Sequence, residues 1–72
     1  MSEPLPVLTE NALQIAWDYL EQTGQIEDPE FASKFLLVCV EHLIGRGERR
    51  RLALANWSIA AYERLERKTL AA

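Results

Sequence analysis

Cys39 and His42 are the single thiol and the single imidazole of this 72-residue chain. Three residues apart, they are neighbours on one side of a helix. A thiolate beside an imidazole is a nucleophile in principle, and both groups are metal ligands. Neither chemistry is complete here. A metal asks for three or four ligands, and the sequence has no other Cys or His to offer. Nucleophilic work asks for an oxyanion site and a third orienting group, which adjacency on a regular helix does not supply. The reading is therefore Cys39 as a small hydrophobe whose thiol stays protonated, and His42 in a last helical turn, near late carbonyls and the negative end of the dipole. No metal, no cofactor and no catalytic residue is expected.

The carboxylates fall at solvated-face spacings, as in Asp18 with Glu21. General acid–base work needs a cleft that perturbs an ionisation, and a small helical domain rarely builds one. The chain is thus expected not to be an enzyme. The run Arg46-Gly47-Glu48-Arg49-Arg50-Arg51 goes against local helix physics, because cations at a helix N-terminus oppose its dipole. One reading pairs these arginines with acids of the preceding helices. The other makes Arg46, Arg49, Arg50 and Arg51 an anion-binding patch for phosphate, nucleic acid or a partner's carboxylates. A pI near 5.0 opposes attraction to a polyanion, so nucleic acid stands as the alternative rather than the leading partner.

Composition sets the frame for these groups. Apolar residues make 49% of the chain and charged residues 26%, as in a soluble globular domain. No apolar run approaches the roughly 18 residues that span a membrane, so no membrane partner is expected. Met1-Ser2-Glu3-Pro4 does not read as a secretory signal, and one cysteine makes no internal disulfide; a cytoplasmic location is the expectation. Charge is unevenly spread. Residues 1–45 carry eight acids against Lys34 alone, and residues 46–72 carry seven bases against three acids. Such a division either neutralises itself inside a bundle or selects a charged partner.

The elements that must position all this are three helices, over roughly 10–23, 29–44 and 48–68, with residues 71–72 fraying. Together they form an all-α three-helix bundle, one domain over 9–70, preceded by an apolar arm over 1–8. Pro4 and Pro6 disfavour helix in that arm, while Leu5, Val7 and Leu8 lay it on the core. Thr9 caps the first helix, whose inner face is Ala12, Leu13, Ala16, Tyr19 and Leu20, with Gly24 as its stop. Asp28-Pro29 opens the second helix and Gly45 closes it. The third turns Leu52, Ala55, Ile59, Tyr62 and Leu65 inward, with Leu54 at the border, Ser58 near the middle and Glu63 pointing away.

The second helix holds Phe35-Leu36-Leu37-Val38-Cys39-Val40, six apolar residues in succession, and is expected to be the most buried of the three. Its only charges, Glu30, Lys34 and Glu41, form one thin strip. The remaining arc of roughly 260° exceeds the 100° or so that packing on neighbours consumes. The arm or a second copy of the chain must cover the surplus. Ile15, Trp17, Leu37, Val40, Ile44, Leu54 and Trp57 are the candidate interface residues. Gly47-Glu48-Arg49-Arg50-Arg51-Leu52 resembles stretches of short helical proteins of bacterial type. That likeness implies no activity and carries over no residue role, so it assigns no family. The function expected is a small interaction module that binds a protein partner or itself as a homodimer, with anion binding by the arginines as the alternative.

Overall fold

A computed structural model describes the backbone of residues 4–71 and the side chains of residues 4–66. Three helices follow in order, α1 (Leu5–Gln22), α2 (Pro29–Gly45) and α3 (Arg51–Ala71), and pack as a three-helix bundle. The described residues include no strand.

The first helix begins five residues earlier than its sequence suggests. Pro4 is its N-cap and Pro6 lies in its first turn, with the Leu8 amide donating to the Pro4 carbonyl at 2.9 Å. A proline there breaks no bond, because the first four amides of a helix have no partner inside it. Residues 5–8 are thus helix rather than an arm, and Thr9 lies inside the helix instead of capping it. Leu8 is buried as expected, but Leu5 and Val7 remain exposed. The expectation for Met1–Glu3 lies outside the described residues, as does fraying at Ala72; Ala71 is still helical.

Both connections are built alike. At the end of α1, Gly24 adopts φ +70°, its amide donates to the Glu21 carbonyl, and the Gln25 amide donates to Leu20. At the end of α2, Gly47 takes φ +102°, its amide reaches Ile44, and that of Glu48 reaches Leu43. These are paired Schellman stops, each needing a left-handed residue that glycine supplies without strain. The stop of α2 is therefore Gly47, not Gly45, which is still helical. Asp28 caps the start of α2 as its sequence predicts, accepting from the Phe31 amide at 3.2 Å. The α1–α2 turn is tied to α3 by two polar contacts and braced within itself by a third. Tyr62 Oη donates to the Gln25 carbonyl, and Gln25 Nε2 donates to Thr23 Oγ1 and to Glu63 Oε2 at 2.9 Å. Glu63 accordingly faces a neighbour instead of pointing away.

Each helix contributes one narrow row to the core: Leu8, Ala12, Ala16 and Leu20 from α1, Ala32, Leu36 and Val40 from α2, and Leu54, Ser58 and Tyr62 with Ala55 from α3. Spacing by four is the ridge along which helices most often interlock. At one end Leu8 and Ala12 meet Val40 and Leu54; at the other, Ala16 and Leu20 meet Ala32, Leu36, Ala55 and Tyr62. Several expectations change with this geometry. Leu52 is outside and Leu54 is central on α3, and Tyr19 is exposed on α1. The second helix is not the most buried, since Leu37 and Val38 of its apolar run face outward.

Alanines and Ser58 let the three backbones approach closely. Ser58 Oγ is fully buried and has no hydrogen-bond partner. A buried hydroxyl without a partner forfeits its hydration for nothing. Ser58→Ala is expected to raise stability by about 1 kcal/mol, from that relief and from better helix propensity. For a domain of this size that is about 4–8 °C in melting temperature. A thermal melt that moves downward instead would show that the hydroxyl earns its place.

Candidate functional site

On α2 the charged strip of Glu30, Lys34 and Glu41 divides two exposed apolar regions. Lys34 Nζ bridges Glu30 Oε1 at 3.3 Å along the surface, a pairing of small energetic weight. On one side of the strip stands Leu37, 37% exposed. On the other stand Phe31, 47% exposed, and Val38, 63% exposed, with half-buried Phe35 and exposed His42. At 100° per residue, 31, 35, 38 and 42 fall within an arc of about 60°. Their spacing of four, three and four is that of a coiled-coil seam.

This seam is anchored to the core. The rings of Phe31 and Phe35 lie 5.8 Å apart, and Phe35 meets Tyr62 edge-on at 5.8 Å between centroids. Tyr62 is locked in turn by its bond to Gln25, and burial is the main cause that pushes its hydroxyl ionisation up. Such aromatic contacts add to area burial and hold ring orientation. Cys39 sits half-buried beside the seam, and burial pushes its thiol up, away from the reactive thiolate. Among the described residues, no group of three or more His, Cys, Asp or Glu side chains is placed to hold a metal.

The candidate interface residues are not brought together. Val40 and Leu54 belong to the core, where they pack with Leu8 and Ala12. Their place in the every-fourth-residue rows puts them there rather than on a surface. Ile15 and Trp17 are half-buried against the core near Leu20, and Ile44 is half-buried near Val40. Leu37 and Trp57 are exposed, the latter by 59%. Phe31 and Val38 were absent from the expected set although they are the larger exposure on α2. The signal that marks them is the 31-35-38-42 spacing, which a reading of total apolar arc does not resolve.

The arginine run is organised around Glu48. Residues 48–50 lie outside α3, which begins at Arg51. Glu48 Oε2 accepts from the amides of Arg49 and Arg50 at 3.0 and 3.1 Å, and its carboxylate pairs with the Arg50 guanidinium at 3.2 Å. Side-chain capture of those amides competes with helix and sets the later start. Arg49 turns back on α2, its Nη1 donating to the Ile44 carbonyl at 2.7 Å and to that of Glu48 at 2.8 Å. A cation there complements the negative end of α2. Arg49 and Arg50 therefore find partners in the turn itself, not among the acids of α1 and α2. Arg46, exposed, is the C-cap of α2, and Arg51 opens α3. Glu48 occupies two of the amides and part of the Arg50 guanidinium, while Arg49 is turned to two carbonyls. Among the described residues, no helix is long and apolar enough to cross a membrane. The chain matches no family model, no curated protein and no solved structure.

Hydrogen bonding from the Arg50 side chain first, then from the backbone amides, holds the Glu48 carboxyl down to about 2 from its ordinary 4.5. A carboxyl lowered by folding lends stability in full above about pH 4.5 and loses it as the pH falls toward 2. Glu48→Gln is expected to flatten that part of the acid-unfolding profile. Urea titrations across the interval check this; parallel profiles for the two proteins would show that the carboxylate is not so held.

Proposed function

We propose that this chain is a small, non-enzymatic helical interaction module that self-associates through the exposed apolar face of α2, in the cytoplasm. The observation that carries the reading is the exposure of Phe31 and Val38 on one side of the helix, anchored through Phe35 to the core. Apolar area removed from water is worth about 25 cal/mol per Å², and a domain this short has few other sources of stability. Among the described residues, four of the ten buried apolar ones are alanines, so the core removes little area per residue. Covering the outer face of α2 adds what the core lacks.

The groups with shifted ionisation are each in structural use, which favours a binding role over catalysis. Glu48 holds the α2–α3 turn, Tyr62 closes the α1–α2 end, and Cys39 packs at half-burial. A free thiol suits the reducing interior of a cell. Anion binding by Arg46, Arg49, Arg50 and Arg51 stands second to this reading, because Glu48 already takes two amides and part of the Arg50 guanidinium.

Sedimentation equilibrium from about 1 µM to about 1 mM is expected to show mass rising from the 8.2 kDa of one chain toward twice that value. Val38→Glu places a charge at an exposed helical position and is expected to hold the protein at one chain while leaving its dilute-solution melt unchanged. A wild-type chain that stays single throughout, or a variant that still pairs, overturns the reading. Phe31→Lys, at the other exposed seam position, serves if Val38→Glu melts early.

A further inference from the structure

Resting on that reading, we infer that the occupant of the α2 face is a second copy of the same helix, lying antiparallel across a two-fold axis that passes between Phe35 and Val38. The residues 31, 35, 38 and 42 take alternating seam positions. Antiparallel pairing sets Phe31 against His42 of the partner subunit and Phe35 against the partner subunit's Val38, with both layers repeated by symmetry. Every layer then joins a larger ring to a smaller side chain, the arrangement that interdigitates best. The interface is self-complementary and closed, as a two-fold contact must be.

Charge selects this direction. Lys34 and Glu41 both lie on the strip that borders the seam, seven residues apart and thus at equivalent flanking positions. When the helices run oppositely, each Lys34 faces the partner subunit's Glu41, and the pair forms twice. When they run the same way, Lys34 faces the Cys39 flank instead, His42 stacks on its own copy, and the two helix dipoles lie side by side unfavourably. Among the described residues, Lys34 is engaged only by an exposed bridge to Glu30, which costs little to exchange. A 17-residue helix is about 25 Å long, so the contact is smaller than the roughly 800 Å² per partner of a standard interface. The dimer is accordingly a weak one.

The test is a charge exchange read by sedimentation equilibrium at about 50 mM salt, where surface charges are little screened. Lys34→Glu and Glu41→Lys each create two like-charge pairs and are expected to weaken the dimer about tenfold. The double variant K34E/E41K restores both pairs with reversed sign and is expected to return to within about threefold of wild type. Circular dichroism melts at low concentration confirm that each monomer folds. If the wild type pairs and Val38→Glu prevents it, yet the double variant is as weak as the single ones, the antiparallel arrangement falls while the self-associating surface stands. If Glu41→Lys alone weakens the dimer and Lys34→Glu does not, the helices run parallel and the inference is overturned. If the wild type never pairs, surface and arrangement fall together.

Discussion

Each helix of this bundle is gripped along a row scarcely one residue wide. Leu8, Ala12, Ala16 and Leu20 set the pattern, and Ala32, Leu36 and Val40 repeat it. Where helices meet through alanines, backbones come close and the interlocked ridge is narrow. A narrow ridge leaves the flanks of each helix in water whatever their composition. On α1 and α3 the flank mixes polar residues with the exposed Leu5, Val7, Tyr19, Leu52 and Trp57. On α2 it is Phe31, Leu37 and Val38, and the same packing rule that closes the core strands them outside. The exposed face is thus a consequence of how the interior is built, not a defect in it.

The polar parts of the fold serve the ends. Gly24 and Gly47 stop two helices by the same left-handed turn. Gln25 then stitches the first turn to α3 through Tyr62 and Glu63. At the opposite end, Glu48 and Arg49 do the corresponding work, one gathering the amides ahead of α3 and the other answering the carbonyls that finish α2. Two arginines of the run, Arg49 and Arg50, thus have their side chains engaged in the turn itself. A guanidinium suits this because a single terminal nitrogen carries two N–H donors, and Arg49 Nη1 reaches two carbonyls at once.

The three-helix architecture was legible because its signals are local. Asp28-Pro29 and Gly24 mark ends through backbone chemistry that no tertiary contact overrides. The start of α1 was not, because proline in a first turn and proline in an extended arm have the same sequence signature, and only the Leu8–Pro4 bond separates them. The start of α3 hid for a related reason. Glu48 has ordinary helix propensity, and its capture of two amides depends on a conformation that sequence does not display. Surplus apolar perimeter on α2 could be read from composition and period. Which residues form it could not, since that depends on where α1 and α3 dock; Val40 and Leu54 went inside by that choice, and Val38 went out.

The two glycine stops have a kinetic corollary. They make α1–α2 and α2–α3 successive hairpins, and together these bring α1 against α3, the most extensive of the three helix contacts. Chains of low contact order reach their native state on the order of microseconds to milliseconds. Encounter between dilute molecules is slower than that. The outer stripe of α2 is therefore set, ring against ring, within the folding of the single chain, before a dilute molecule meets any other.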